Sequence, residues 1–215
     1  MTLDQMIREV QAACPELGKP DGRPGPATWG AIHRRIAGAS LAVLKASAAA
    51  GLRPAPIIHG AVDARSEKAI ATLHLKVQPY ARALIHAATE RGWDFKITSG
   101  LRTYAEQDAL YSQSRTNPPP GPRVTGARGG YSNHNFGLAF DVTLFSGAKP
   151  VWDSPLYKAL APLAIALGLE WGGNWKSIQD EPHYQLRPRW AEGMSEPVML
   201  AELRRRRAAG IDVYA

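Results

Sequence analysis

Cysteine is almost absent: Cys14 is the one thiol among 215 residues. That excludes a disulfide within the chain and any Cys-rich structural zinc site, so a metal must rest on imidazole and carboxylate. No apolar run approaches the roughly 20 residues that a membrane-spanning helix needs. The opening MTLDQMIREVQAACPE carries acidic residues early and lacks an apolar core followed by a small-residue cleavage site. It does not read as a secretory signal. The expectation is a protein that works in the cytoplasm or leaves it by a route other than general secretion. An RNP-like aromatic pattern and zinc-finger spacing are also missing, which argues against a nucleic-acid partner. There is no internal repeat.

What the chain does have is an ordinary globular balance, 45% hydrophobic and 21% charged residues. Its length suits one good-sized domain with a small appendage. The net charge of +7 favours polyanionic partners, which leaves anionic lipid or anionic cell-envelope polymers once nucleic acid is set aside.

Hydrophobic spacing divides the chain. Leu3, Met6, Ile7 and Val10 predict an amphipathic helix, and Trp29, Ile32 and Ile36 a second one after the turn-rich stretch Gly18–Pro26. Residues 1–50 therefore read as a short helical region, and 51–61, with GLRPAP, as a linker. From Val62 the stripe Ile70, Leu73, Val77, Tyr80, Ala81, Leu84 and Ile85 marks one or two helices with a capping-like start at Ser66. Residues 95–100 read as a strand, 104–114 as a helix and 115–131 as a long surface loop holding Pro118-Pro119-Pro120. A strand over 137–144, a helix over 155–167 and a strand over 183–186 complete a domain spanning 62–190. Residues 191–215 form a basic helical tail, with Ser195 as N-cap and Pro197 in the first turn. Its Arg204-Arg205-Arg206-Arg207 run reads as a solvated face. Short strands among helices argue α+β.

The chemistry concentrates in Ser132-Asn133-His134-Asn135-Phe136-Gly137-Leu138-Ala139-Phe140-Asp141. His134 and Asp141 reach one metal if a turn at Gly137 aims the following strand back across the site. Imidazole and carboxylate suit zinc, and a hydrolytic zinc needs three protein ligands and one open position. The third ligand must come from His33, His59, His74, His86 or His183. His33 and His59 lie in the N-terminal segment and near the linker, while His74 and His86 read as helix-surface residues. His183, in Asp180-Glu181-Pro182-His183-Tyr184-Gln185 at a strand start, is the best candidate.

The stretch SNHNFGLAFD resembles the S-x-H-x-x-G-x-A-x-D signature of the zinc D-Ala-D-Ala peptidase superfamily. With ITSGLRTYAEQDALYSQSRT before it and GLEWGGNWKSIQDEPHYQ after it, the likeness runs over roughly 62–187. It is greatest to the branch of peptidoglycan L-alanyl-D-glutamate endopeptidases that includes phage endolysins. The resemblance implies a small antiparallel sheet flanked by helices, as in hedgehog and D-Ala-D-Ala peptidase folds. It implies Zn2+ on His134, Asp141 and His183, and Asp180 as general base, with Glu181 as the rival on the same strand face. It also brings Arg102 to the substrate side, where that residue stabilises the developing oxyanion or clamps a stem-peptide carboxylate. Ser132 hydrogen-bonds near the site, and Trp171, with Trp175 and Tyr184, lines the cleft or simply packs the core. Arg123 and Arg128 are loop charges facing solvent or an anionic stem peptide. Ser114-Arg115-Thr116 departs from the branch's usual Gly-Arg-Thr.

The resemblance further implies hydrolysis of the L-Ala–D-Glu bond in peptidoglycan stem peptides by a monomeric enzyme. Made in the cytoplasm, it acts on the wall after release, as phage lysins do. The alternatives are a D,D- or L,D-carboxypeptidase or dipeptidase on the same site, or a wall-binding module without catalysis. The turn Asp21-Gly22-Arg23-Pro24-Gly25-Pro26-Ala27-Thr28 resembles that of small helical peptidoglycan-binding domains, which gives residues 1–50 a wall-binding expectation.

Overall fold

The computed structural model describes residues 60–113, 115, 125–176 and 178–215. The expected helical region 1–50 with its wall-binding turn, most of the 51–61 linker, His33, His59, Ser114, the Pro118–Pro120 loop and Arg123 lie outside the described residues.

Asp63, not Ser66, opens the first described helix, α1 (Ala64–Ile70). Its carboxylate accepts the backbone N–H groups of Arg65 and Ser66 at 3.1 and 3.0 Å, satisfying donors that a helix start leaves free. Ser66 is fully buried instead. Its hydroxyl donates to Asp63 at 2.5 Å and accepts the N–H of Ile97, so it ties the helix to the sheet. The apolar stripe breaks after Ile70 and resumes in α2 (Gln78–Thr89), which buries Ala81, Leu84, Ile85 and Ala88. Gly92, at φ 72°, turns the chain out of this helix into β1 (Phe95–Ser99). Then come α3 (Tyr104–Gln113), β2 (Ala139–Ser146), β3 (Lys149–Val151), α4 (Leu156–Ala166), β4 (Glu170–Trp171), β5 (His183–Gln185) and α5 (Glu196–Ala208).

The strands form one antiparallel sheet in the order β1-β2-β5-β4, with β3 also on β2. With its flanking helices this is the expected α+β architecture. β3 and β4, of three and two residues, have no alternation to read and exist through their pairing. The main core packs Leu84, Ile97, Phe140, Val142, Tyr157 and Leu160 between sheet and helices, all at 1% exposure or less. Tyr184, fully buried and stacked on Phe140, belongs to this core rather than to a cleft wall. No described helix is long and apolar enough to cross a membrane.

A second core joins Phe136 and Leu138 to Ala191, Met199, Leu200 and Leu203, so α5 packs directly under the segment that carries His134. Ser195 is at the N-cap position, but its side chain makes no cap hydrogen bond. The reading of Arg204–Arg207 as a solvated face is corrected in part: Arg205 is exposed, whereas Arg204, Arg206 and Arg207 also reach back onto the fold. Arg204 donates to Gly130 O at 3.0 Å and lies over Tyr131, while Arg207 donates to Asn135 O at 2.6 Å and lies over Tyr104. Arg206 covers Trp190 and pairs with Glu202, which also holds Arg205. Cationic planes settle on aromatic faces because the ring quadrupole attracts them.

Candidate metal centre

The strand register brings the ligands together. Asp141 on β2 faces His183 on β5 across the antiparallel ladder. His134 arrives from a 3-10 turn, Asn133–Phe136, which ends at Gly137 with φ 69°. A side chain at Gly137 would be strained by that φ, and its Cβ would lie 2.9 Å from His74 N. The turn therefore does what the sequence anticipated: it folds His134 back over the strand that bears Asp141.

His134 Nε2, Asp141 Oδ1 and His183 Nδ1 form a near-equilateral triangle with sides of 3.2, 3.2 and 3.3 Å. Tetrahedral zinc with bonds of about 2.0–2.1 Å has ligand–ligand edges of about 3.3–3.4 Å, so the donor set fits that ion. Among the described residues this is the group of His, Cys, Asp and Glu side chains arranged to hold a metal. His74 and His86 take no part: they contact Asp212 and Gly60 O.

Each ligand is oriented from behind. His134 Nδ1 donates to Gly100 O at 2.8 Å, and His183 Nε2 donates to Gln185 Oε1 at 2.9 Å. Carbonyl acceptors on those nitrogens leave the lone pairs of Nε2 and Nδ1 for the metal. Asp141 Oδ2 accepts from Arg102 Nη2 at 2.7 Å, which leaves Oδ1 in the triangle. Arg102 also donates from Nε and Nη2 to Ser99 and from Nη1 to Gln107. Gln107, fully buried on α3, in turn fastens Thr125 and Ala127 of the loop that faces the site.

The electrostatics are those of a coupled cluster. Burial works against the charge on Asp141, but the His134 and His183 imidazoles outweigh it and hold the carboxyl well below its ordinary range. Burial likewise opposes protonation of His183, yet its contacts with Asp141 raise it above the ordinary imidazole value. Asp180 is pushed up, first by burial and then by the charge of Asp141, against the pull of His183, His134 and Arg102.

A cleft of about 1280 Å³ opens over the triangle and is lined by Asp180, Arg102, Ser132, Trp171 and Trp175 among others. Asp180 faces it because Gly172 lets the preceding turn sit against the Asp180–His183 backbone; a Cβ there would lie 2.6 Å from Asp180 O. Glu181 turns elsewhere: its carboxylate meets Lys158 at 3.5 Å and its carbonyl accepts the Trp171 indole N–H at 2.7 Å. Trp175 packs its ring against His183 at 4.8 Å. The Ser132 hydroxyl makes no cap bond to the turn it precedes. Arg128 lies over the Tyr111 ring rather than reaching toward the cleft ligands.

Sequence reasoning missed the residues behind the ligands. Gln185 holds His183, Asn133 donates to Gln185 at 2.6 Å and to Glu196, and Glu170 and Glu196 share Arg187. The signal for Gln185 was its place two residues after His183 in a strand, which puts both side chains on one face.

Residues 125–186 match a family model described as D-alanyl-D-alanine carboxypeptidase. The peptidoglycan L-alanyl-D-glutamate endopeptidase CwlK of Bacillus subtilis is 41% identical over 126 residues, covering 54% of this chain and 74% of that protein. Among solved structures, the L-Ala D-Glu endopeptidase ChiX of Serratia marcescens is 26% identical with a TM-score of 0.45, covering 59% of this chain and 89% of that one. The D,D-pentapeptidase VanY of a VanB-type resistance cassette is 18% identical with a TM-score of 0.44, covering 66% and 81%. All three ligands fall within the matched segment, and the chain belongs to the zinc D-Ala-D-Ala peptidase superfamily, in its branch of peptidoglycan L-alanyl-D-glutamate endopeptidases.

Proposed function

We propose that this chain is a zinc-dependent peptidoglycan endopeptidase that hydrolyses the L-Ala–D-Glu bond of the stem peptide. The observation that carries the reading is the His134–Asp141–His183 triangle at tetrahedral-zinc spacing, with Asp180 on the same cleft, in a chain 41% identical to an endopeptidase of that specificity. A zinc ion held there supplies a Lewis acid and lowers the pKa of water toward ~7. Asp180, which lines the cleft over the triangle, takes the proton from the attacking water and delivers it to the leaving amine. Arg102 acts as a positioning residue: its bond to Asp141 Oδ2 fixes which carboxylate oxygen joins the triangle. The two buried imidazoles are held in the tautomers that ligation requires. Trp171 and Ser132 border the substrate, and the charge of +7 supports attraction of the monomeric enzyme to anionic wall polymers.

The family description as a carboxypeptidase favours one second reading, release of a terminal D-Ala on the same site. Mass spectrometry of products from purified muropeptides separates the two. The endopeptidase reading expects fragments beginning at D-Glu; free D-Ala as the product contradicts it.

A further inference from the structure

Four large apolar side chains stand exposed on the wall of the metal cleft: Trp152 at 64%, Ile165 at 50%, Trp175 at 37% and Ile178 at 52%. Scattered apolar residues are normal on a surface, but such a group on one cleft marks a binding face. The cleft itself, at about 1280 Å³, exceeds the roughly 300–1,000 Å³ of small-ligand pockets, so it has room for more than the two residues that flank a scissile bond.

The sheet orders these features. From Asp141, β2 runs past Thr143, which lies on the same face and shares a 2.8 Å hydrogen bond with Thr98, to Leu144 opposite Val151. Trp152 follows directly on Val151. Continuing that antiparallel register, Trp152 comes level with Thr143, two strand residues or about 7 Å along from Asp141 and one strand over.

The two sides of an L-Ala–D-Glu bond differ chemically. Beyond the bond lie the D-Glu carboxylate and a diamino acid, both strongly polar. Before it come the alanine methyl, the lactyl methyl and the C–H face of a pyranose ring. A residue spans about 3.3–3.6 Å, so the alanine and the residue-sized lactyl link reach about 7 Å and bring the sugar ring to Trp152. An indole offers a large rigid apolar face with few torsions to freeze, and an apolar wall with hydroxyls on its floor suits a sugar better than it suits carboxylates.

We propose that Trp152, on the cleft that Ile165 and Trp175 also line, forms a glycan subsite that binds the lactyl-bearing N-acetyl sugar on the acyl side of the scissile bond; this rests on the function proposed above. The enzyme then prefers stem peptides still attached to glycan over free ones.

The test compares one stem peptide, free and carried on its disaccharide, with wild type and Trp152→Ala. The expected result is a higher kcat/KM for the disaccharide-peptide, removed by Trp152→Ala through a rise in KM of roughly 5- to 30-fold. Hydrolysis of the free peptide stays unchanged, and Trp152→Phe restores much of the preference. Equal hydrolysis of both substrates by wild type, or an equal loss on both in Trp152→Ala, overturns the subsite. In parallel, the peptide-free disaccharide is titrated by calorimetry into chelator-treated protein, where saturable binding weakened by Trp152→Ala supports the subsite and its absence overturns it. Failure of wild type to cut either peptide at L-Ala–D-Glu contradicts the proposed function instead, and the titration then decides the subsite alone.

Discussion

His183 and Gln185 lie two residues apart on one face of β5, and the imidazole Nε2–H donates to the Gln185 carbonyl oxygen at 2.9 Å. Gln185 is 1% exposed and has its own supports in Asn133 and Glu170, so the imidazole plane is set by a packed network. Removing such a partner costs about 10–100-fold in metal affinity. Gln185→Met is therefore expected to bind zinc about 10–100-fold more weakly in competition with a chromophoric chelator, while Gln185→Glu, which keeps an acceptor, retains most of the affinity.

Asp180 and Glu181 separate by what they face. Asp180→Asn is expected to lower kcat by about 10²–10⁴ with zinc content unchanged, the loss typical of a general base. Glu181→Gln keeps kcat near wild type, because its partners are Lys158 and the Trp171 indole side of the turn. Burial and the charge of Asp141 raise Asp180 in the metal-free protein; in the zinc-loaded enzyme the acid limb of the pH–rate profile should vanish in Asp180→Asn.

The metal-free protein should respond to pH opposite to the loaded one. His183 is raised above 6.5, so its ion pair with Asp141 contributes stability that is complete below that value and lost as pH climbs through the folded pKa. Asp141 is depressed below 3.8, so its contribution is present above that value and lost as pH falls through the folded pKa. Chelator-treated protein should thus lose thermal stability as pH rises above 6.5 and through the raised folded pKa of His183. Zinc affinity should rise over the same interval, since ligation needs the neutral imidazole. Melting curves with and without chelator check both signs.

The C-terminal helix should matter to the site although it bears no ligand. Arg204 and Arg207 hold the carbonyls of Gly130 and Asn135 on either side of Ser132–His134. Arg207→Ala is expected to cost about 1 kcal/mol in urea unfolding, the scale of one charge-assisted bond at a partly exposed position. It should also weaken zinc binding measurably, whereas Arg205→Ala, whose partner is Glu202 on the same helix, leaves zinc binding unchanged.

The ligands were legible in sequence through the resemblance of SNHNFGLAFD and DEPHYQ to the peptidase signature; chemistry alone, with one cysteine, restricted a metal to imidazole and carboxylate and left the His134–Asp141 pair as weak evidence. Most elements were legible for a local reason. The Ile70–Ile85 stripe and the Phe95–Ser99 strand carry their periodicity in the chain itself. What was not legible depends on pairing across the fold. β3 and β4 are too short to show alternation. Ser66 imitates a cap yet is used by Ile97 N–H, and the arginine run looks like a solvated face until Tyr104, Tyr131 and Trp190 come underneath it. Arg102 was placed at the substrate by resemblance, but its hydrogen bonds run to Ser99, Gln107 and Asp141, which no spacing in the sequence discloses.

The most direct test is zinc content measured together with muropeptide hydrolysis, on wild type and His183→Ala. One equivalent of zinc and hydrolysis in wild type, with both lost in His183→Ala and hydrolysis lost again in chelated wild type, is the predicted result. Undiminished hydrolysis by metal-free wild type or by His183→Ala would contradict the account.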